Sequence, residues 1–457
     1  MFKSAEDYRE FDLNFSEKSI VYNKIDLGYL FRNQLVAKIR AKNNIGNNPV
    51  RLTLRVYLRL LLSALKTFPN IFRKKDVWVF SNAERRKKYN DHYVDRVASI
   101  VSEANESVLY IENPVLSSHK YPTKDIILSD AFFFLISYVV GFFCYSKKKM
   151  IVPKEFYSLG EQYGVGIDVK QVMRRFLGQY KVMTWFLKYV HKPKRVYLVY
   201  PNGYNGYIKA FKDVNIPVVE LQHGVIYPTH PSYNFPYCSI AKEFYPDYVF
   251  VYGHKDKECL EKLDYVEKDN IFVVGSYGLW YCKFKLQVRN QYLERILQLG
   301  YKKLVLVTAT NDDLDVLYRF GELLSVAKDD WGILLLPRTS RNNLQSVNNL
   351  IVLDTRKVNV FELYKTVDFH LTQNSSCALE ALYMAVPSFI LELNRPSIFS
   401  RNYRYIKSLN YVKNHVELLS MIENGHFLFP DESDVSQVFE NEVLDSFRKS
   451  QSKLKRR

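Results

Sequence analysis

The sequence holds only five cysteines, Cys144, Cys238, Cys259, Cys282 and Cys377, and no CxxC spacing. An odd, scattered set argues against a disulfide framework or a zinc site and fits a reducing cytosol. The opening residues MFKSAEDYREF are charged and lack an apolar stretch, so no signal peptide is expected. The uncharged run Ala131–Tyr145 is short for a membrane span. As a helix it would measure about 22 Å against a hydrocarbon core of about 30 Å. There is no GxGxxG, no P-loop and no zinc-finger, RNP-like or helix-turn-helix signature, which places nucleic acid outside the expected partners. A convincing acidic DxD-type motif is also missing. Asp312-Asp313-Leu314-Asp315 has the letters but enters a helix. No metal and no cofactor is expected.

What is present points elsewhere. At 457 residues the chain is long enough for two or three domains. Lys and Arg outnumber Asp and Glu by 65 to 48, a formal charge of +17, which favours an anionic lipid or a phosphorylated substrate. Arg51–Lys75 interleaves Leu, Val and Tyr with Arg and Lys, the pattern of a basic amphipathic helix lying on an anionic bilayer. Ala131–Tyr145 is followed by Lys147, Lys148 and Lys149. It reads either as a buried helix or as a membrane-dipping one with a basic collar. The expected location is cytoplasmic, peripheral on the inner face of the cell membrane.

Residues 1–75 read as a helical lead-in. Short apolar strands then alternate with helical stretches: Asp76–Ala83, Ser107–Glu112, Arg195–Tyr200, Pro217–Leu221, Asp247–Tyr252 and Asn270–Gly275. A second series runs through Lys303–Thr308, Gly332–Leu336, Leu350–Leu353, Asp368–Thr372 and Ser388–Glu392. Continuously apolar strands alternating with helices imply parallel sheets covered on both faces. The expected fold is therefore α/β, with two Rossmann-like lobes facing across a cleft. The predicted divisions are a lead-in (1–75), a first lobe (76–285), a second lobe (286–446) and a basic tail (447–457). The seam falls in Ser276–Tyr301, with a helix expected over Leu286–Leu299. Ligands of such sheets bind outside the carboxyl ends of the strands.

Four stretches at those ends carry candidate chemistry. In Thr372–Glu380 (TQNSSCALE) a strand leads into a helix expected over Ser375–Ala385. Its N-terminus suits a phosphate, Ser375 and Ser376 add hydroxyl donors, and the Glu380 carboxylate suits a ribose. An ordinary Asn/Ser cap with a solvated Glu fits the same letters. Val219–Pro236 delivers Gln222-His223-Gly224 into a loop with His230. A histidine there suits a general base or a donor to phosphate, and a structural role is the alternative. Thr310 and Asn311, in the first turn of the second lobe, are weaker donor-site candidates. After Leu336-Pro337, Arg338 or Arg341 offers a cation for a diphosphate. In the first lobe, Asn202 and the turn Asn82–Lys88 lie at strand ends where an acceptor would sit. A solvated basic face is the leading reading of that turn.

The run Val367–Pro387, with Ser375, Ser376, Glu380, Ala381, Leu382 and Pro387, resembles the nucleotide-sugar half of GT-B glycosyltransferases. The likeness is to those that build bacterial capsule, lipopolysaccharide and teichoic-acid-type glycans. Gln222-His223-Gly224 is similar to a segment in the acceptor lobe of capsule-type enzymes. Leu336 stands where these enzymes often have His. The resemblance implies donor contacts at Ser375, Ser376 and Glu380, and a catalytic or donor-contacting His223 with Gln222 beside it. It also implies transfer from a nucleotide-sugar, as substrate, to a glycan or lipid-linked glycan. The same architecture serves CDP-glycerol-type polyol-phosphate transferases and nucleotide-sugar 2-epimerases. A non-catalytic assembly scaffold is the remaining alternative.

Overall fold

A computed structural model describes residues 5–16, 20–23, 25–42, 53–89, 92–105, 107–114, 119–146, 149–228, 230, 232–234, 242–263, 265–338, 344–393 and 397–454. The sequence candidates Arg341, Lys147 and Lys148 lie outside the described residues.

Two parallel sheets organise the chain. The first has seven strands in the spatial order Ile271–Val273, Tyr248–Val251, Val218–Leu221, Arg195–Leu198, Val77–Asn82, Val108–Asn113 and Ile127–Ser129. The second has six, in the order Leu350–Val352, Trp331–Pro337, Lys303–Ala309, Phe369–Thr372, Ser388–Leu391 and Leu409–Val412. All these pairings are parallel. The strands are apolar on both sides because helices cover both faces. Val79, for instance, is fully buried between Tyr110 and Tyr197 on the neighbouring strands. The fold is thus α/β with two Rossmann-like lobes.

In each sheet the strand order reverses beside the first strand. The first sheet reverses between Val77–Asn82 and Arg195–Leu198, the second between Lys303–Ala309 and Phe369–Thr372. Such switch points open a crevice at the carboxyl ends. Asn82, Leu198, Ala309 and Thr372 mark these ends, and the candidate loops follow them.

The lead-in shares a core with the first lobe. Phe11, Phe15 and Phe31 pack with Phe156, Phe176 and Val249. Arg32, on helix Gly28–Lys42, forms a bidentate ion pair with Asp12 on helix Ala5–Ser16, both contacts at 2.7 Å and both side chains buried.

Three helices form a layer on the first lobe. Gly141 and Gly178 let Ala131–Cys144 and Val169–Tyr189 approach closely, and Leu54–Thr67 packs against the former. Their outer faces are apolar and exposed: Leu54, Leu58, Leu62 and Leu65, then Tyr138, Phe142 and Phe143, then Trp185 and Tyr189. Arg55, Arg59, Lys66, Arg73 and Lys74 are exposed around the first of these helices. Ala131–Cys144 is buried on one side only, along Ala131, Phe133, Ser137 and Gly141. Among the described residues no helix is long and apolar enough to cross a membrane.

The seam and the C-terminus depart from expectation. Of the helix expected over Leu286–Leu299 only Gln291–Leu297 is helical, and a separate helix, Tyr277–Phe284, precedes it. Asn290 starts Gln291–Leu297 by accepting from the N–H groups of Tyr292 and Leu293. The tail expected from 447 onward is not loose. Helix Val443–Ser452 returns to the first lobe, where the buried Phe447 ring lies 5.4 Å from Phe250 and 5.7 Å from Tyr197. Before it, helix Glu432–Val438 packs on His254–Glu261 of the first lobe and on Cys377–Tyr383 of the second.

Candidate functional site

One cavity lies where the two lobes meet. The strand Val218–Leu221 brings Gln222, His223 and Gly224 to it from the first lobe, and the segment after Phe369–Thr372 brings Ser376 and Glu380 from the second. Two constellations some 150 residues apart in sequence therefore share a single wall.

Gln222 is used at both ends of its amide. Its Nε2 donates to the Gly224 carbonyl at 2.8 Å, and its Oε1 accepts from the Tyr252 N–H at 2.5 Å. It pins the loop to the neighbouring strand and leaves His223 at the rim of the cleft. The His223 ring meets Tyr200 edge to face at 5.4 Å, and its Nδ1 is buried without a hydrogen bond. Burial pushes the imidazole pKa well below its usual value. Arg85, His230 and Arg96 add to this, and the Val199 carbonyl opposes it. The ring is neutral at neutral pH, and the same burial and cations oppose its protonation.

Across the cleft, the helix after Thr372 is shorter than expected. It spans Cys377–Tyr383, seven residues, with Ser376 as its N-cap. The Ser375 hydroxyl accepts from the Cys377 N–H at 3.3 Å, and the Ser376 hydroxyl donates to Glu380 at 3.5 Å. Burial raises the Glu380 pKa. Arg96 works against that shift, as do hydrogen bonds from Cys377 and Ser376 and the charge of Lys87.

Of these cations Arg96 is the one that sequence reasoning missed, while Lys87 belongs to the turn Asn82–Lys88. Arg96 lines the cavity, and among the described residues its guanidinium makes no hydrogen bond or ion pair. Burial works to lower its pKa, but the Glu380 carboxylate and Tyr252 hold it above the usual value. Lys87 is pushed down to about 8, chiefly by burial, then by the charges of Arg96 and Lys120, with Glu84 and Glu380 opposing. Arg85 is lowered by burial too, with Asp95 opposing and Arg96 adding. The turn Asn82–Lys88 is therefore not simply a solvated basic face. It enters a hairpin, Arg86–Tyr89 paired with His92–Asp95. Arg86 points inward to Glu112 and Asp125, while Lys87 and Arg85 feel the field of the cleft. The available signal was the two-residue alternation of a strand, RRKKY, which puts neighbouring cations on opposite faces.

The other sequence candidates do not line this cavity. Thr310 donates its N–H to Asp313 at 2.6 Å in the turn that starts the next helix, and Asn311 is exposed. Arg338 is exposed beyond the end of its strand. The His230 ring packs 5.0 Å from both Tyr227 and Tyr233, and its Nδ1 accepts from Ser232. Asn202 lies on a different cavity of the first lobe. Among the described residues no cluster of His, Cys, Asp or Glu has the arrangement of a metal site.

Buried cations beside a carboxylate and a neutral imidazole suit a ligand with both phosphate and hydroxyl groups.

No family model matches the chain, and no curated protein matches it in sequence. Solved structures match in fold. The UDP-GlcNAc 2-epimerase from Methanocaldococcus jannaschii has a TM-score of 0.50 at 13% identity, over 82% of this chain and 99% of that one. The UDP-GlcNAc 2-epimerase from Neisseria meningitidis, bound to UDP-GlcNAc, has a TM-score of 0.50 at 12% identity, over 83% and 99%. The wall teichoic acid polymerase TagF has a TM-score of 0.42 at 14% identity, over 92% and 93%. At identities this low, the likeness to the two epimerases at a TM-score of 0.50 shows the fold alone.

Proposed function

We propose that this protein is a glycosyltransferase of GT-B type, which moves a sugar from a nucleotide-sugar to a growing bacterial surface glycan at a membrane face. The observation that carries the reading is the single cavity lined by His223 from one lobe and by Ser376 and Glu380 from the other. Arg96, with Lys87 behind it, supplies positive charge to the leaving phosphate, and Glu380 holds hydroxyls of the nucleotide sugar or ribose. Gln222 acts as a positioning residue, because both ends of its amide are already bonded.

In the reaction an acceptor hydroxyl oxygen attacks the anomeric carbon. A new carbon–oxygen bond forms as the bond to the phosphate oxygen breaks. The electron pair leaves on the nucleotide's phosphate, and the hydroxyl proton passes to His223. The reading needs no metal, since the cations of the chain face the leaving group.

The exposed apolar layer supports the membrane part. Leucines on Leu54–Thr67 and aromatic residues on Ala131–Cys144 would enter the interface of an anionic bilayer, with Arg55, Arg59 and Lys66 at headgroup level.

A thermal-shift screen against UDP, GDP, CDP, CMP and their common sugars tests the donor site. A ligand at 100 times its Kd stabilises the folded state by about 2.7 kcal/mol. One nucleotide should shift the wild type, and Glu380→Ala should shrink that shift. No shift at millimolar concentration would sink the reading.

The likeness in fold to the two 2-epimerases favours a second reading, in which the chain epimerises a nucleotide-sugar. Incubation with donor alone separates the two. An epimerase converts it to an epimer without acceptor, while a transferase leaves it intact or slowly hydrolyses it. The apolar layer puts the transferase first, because an epimerase of soluble substrates has no use for one.

A further inference from the structure

A second cavity opens on the first lobe. Helices Gly28–Lys42 and Val169–Tyr189 and the loop after Leu198 form its walls. Among the described residues that line it none is acidic, and Arg175 is the one cation. The wall is instead rich in carboxamides: Asn33, Gln34, Gln179, Asn202 and Asn205. A carboxamide offers a donor and an acceptor together, which complements the paired character of a sugar hydroxyl.

Several of these amides are fixed at one end and open at the other. Asn202 Oδ1 accepts from the Tyr29 hydroxyl at 3.1 Å and from Asn33 Nδ2 at 3.2 Å, and its own Nδ2 has no partner among the described residues. Asn205 Nδ2 donates to the Phe244 carbonyl at 3.2 Å, and its Oδ1 is left open. The Gln34 side chain has no hydrogen bond among the described residues. The loop beneath is anchored as well: the Gly203 carbonyl accepts from Gln179 at 2.7 Å and from Arg175 at 3.2 Å, at a φ of +98° that favours glycine. The donors and acceptors are therefore preset rather than ordered on binding.

Tyr200 connects this cavity to the chemistry. It lines the amide-rich wall, is 44% exposed, and meets the His223 ring edge to face. Helix Val169–Tyr189 connects it to the apolar layer, since it carries Gln179 at the cavity and Trp185 and Tyr189 on the outer face. At 1.5 Å per residue, Arg175 and Tyr189 are about 21 Å apart along that helix.

We infer that this cavity is the acceptor site, and that it takes the hydroxyl-bearing end of a glycan, whose reacting hydroxyl passes Tyr200 to reach His223. This inference rests on the transferase reading above. Five carboxamides line it, against one, Gln222, in the cavity of His223 and Glu380, and this distinguishes the hydroxyl-reading site from the donor site. The glycan's source is either a lipid-linked chain, anchored in the bilayer under Trp185, or a free oligosaccharide.

The test uses the full chain and the nucleotide-sugar that shifts its melting. Acceptors are the glycolipid fraction and, separately, the water-soluble oligosaccharide fraction of cells that carry the protein. Ala37→Trp fills the cavity from an exposed wall position, and Gln34→Leu removes an open amide. Both should keep the nucleotide-induced shift and lose sugar transfer by about tenfold or more, the scale on which one misfitted contact discriminates substrates. Transfer confined to the glycolipid arm identifies the lipid-linked source, and transfer in the soluble arm the free one. Undiminished transfer by both variants in both arms overturns the acceptor site and leaves the donor reading standing. Absence of any nucleotide shift in the wild type overturns both.

Discussion

A β-carbon added at Gly278 would stand 2.7 Å from the carbonyl oxygen of Arg96 and 3.1 Å from the Arg96 β-carbon. Gly278 opens the first helix of the seam, and its missing side chain lets Arg96 sit against the cavity. Gly278→Ala should displace the Arg96 segment at a cost of about 1–3 kcal/mol in urea unfolding. It should also weaken nucleotide binding by calorimetry. Unchanged affinity would mean that Arg96 does not touch the ligand.

Lys87 gives the site a pH dependence. Its folded pKa is lowered to about 8, so an anionic ligand meets a charged lysine at pH 7 and a largely neutral one at pH 9. Nucleotide affinity should fall as pH rises through 8. Lys87→Met should bind roughly tenfold more weakly at pH 7, the scale of one charge-assisted hydrogen bond, and lose that slope. A slope that survives the substitution would assign it to another group.

Glu220 should act on stability in the opposite pH range. It is buried beneath the His223 loop, accepts from the Tyr233 and Tyr265 hydroxyls at 2.8 Å each, and is raised by burial to about 7. The unfolded chain gives up this proton near 4.5, so the protonated group stabilises the fold below that pH. The contribution disappears as pH rises to 7. Glu220→Gln should be more stable than wild type at pH 8 by on the order of 2–3 kcal/mol and about equal at pH 4.5. Chemical unfolding at the two pH values decides it.

The helix contact under the apolar layer should tolerate no added atom. A β-carbon at Gly178 would lie 1.9 Å from the Ser137 carbonyl oxygen, and one at Gly141 2.0 Å from that of Arg174. Gly178→Ala should destabilise by about 3 kcal/mol. Gly166→Ala, where nothing lies within 4 Å, should fall within about 0.5 kcal/mol of wild type.

Membrane attachment should depend on the outer faces of the same layer. Leu58→Glu with Leu62→Glu, or Phe143→Glu alone, should reduce co-sedimentation with phosphatidylglycerol vesicles while leaving the nucleotide-induced shift intact. Equal sedimentation by these variants would argue that charge alone, or no membrane, is involved.

The two-lobed architecture was legible because the strands are uninterrupted apolar runs with turns at regular spacing. The strands Ile127–Ser129 and Leu409–Val412 escaped notice because Ser129 and Asn410 break the apolar run that marks the other short strands. His223 and Glu380 stood out because each follows a strand end. Arg96 did not, since nothing local marks a cation that answers a carboxylate almost 300 residues on. Two misreadings had local remedies. Asn290 is a helix cap inside what looked like one helix, and Val443 and Phe447 form an apolar stripe that the surrounding lysines and arginines obscured.

Ser276, Gly278 and Leu279, from the segment that leaves the first sheet, and Val438 and Phe439, from the segment that returns to it, line the cavity that holds His223 and Glu380. A body tied to another at two neighbouring points retains one easy rotation, about the line through them. The proposed nucleotide-sugar pocket therefore lies at the fulcrum. A displacement there too small to break a hydrogen bond would be magnified at the far rim of the lobes, as at the tips of tweezers.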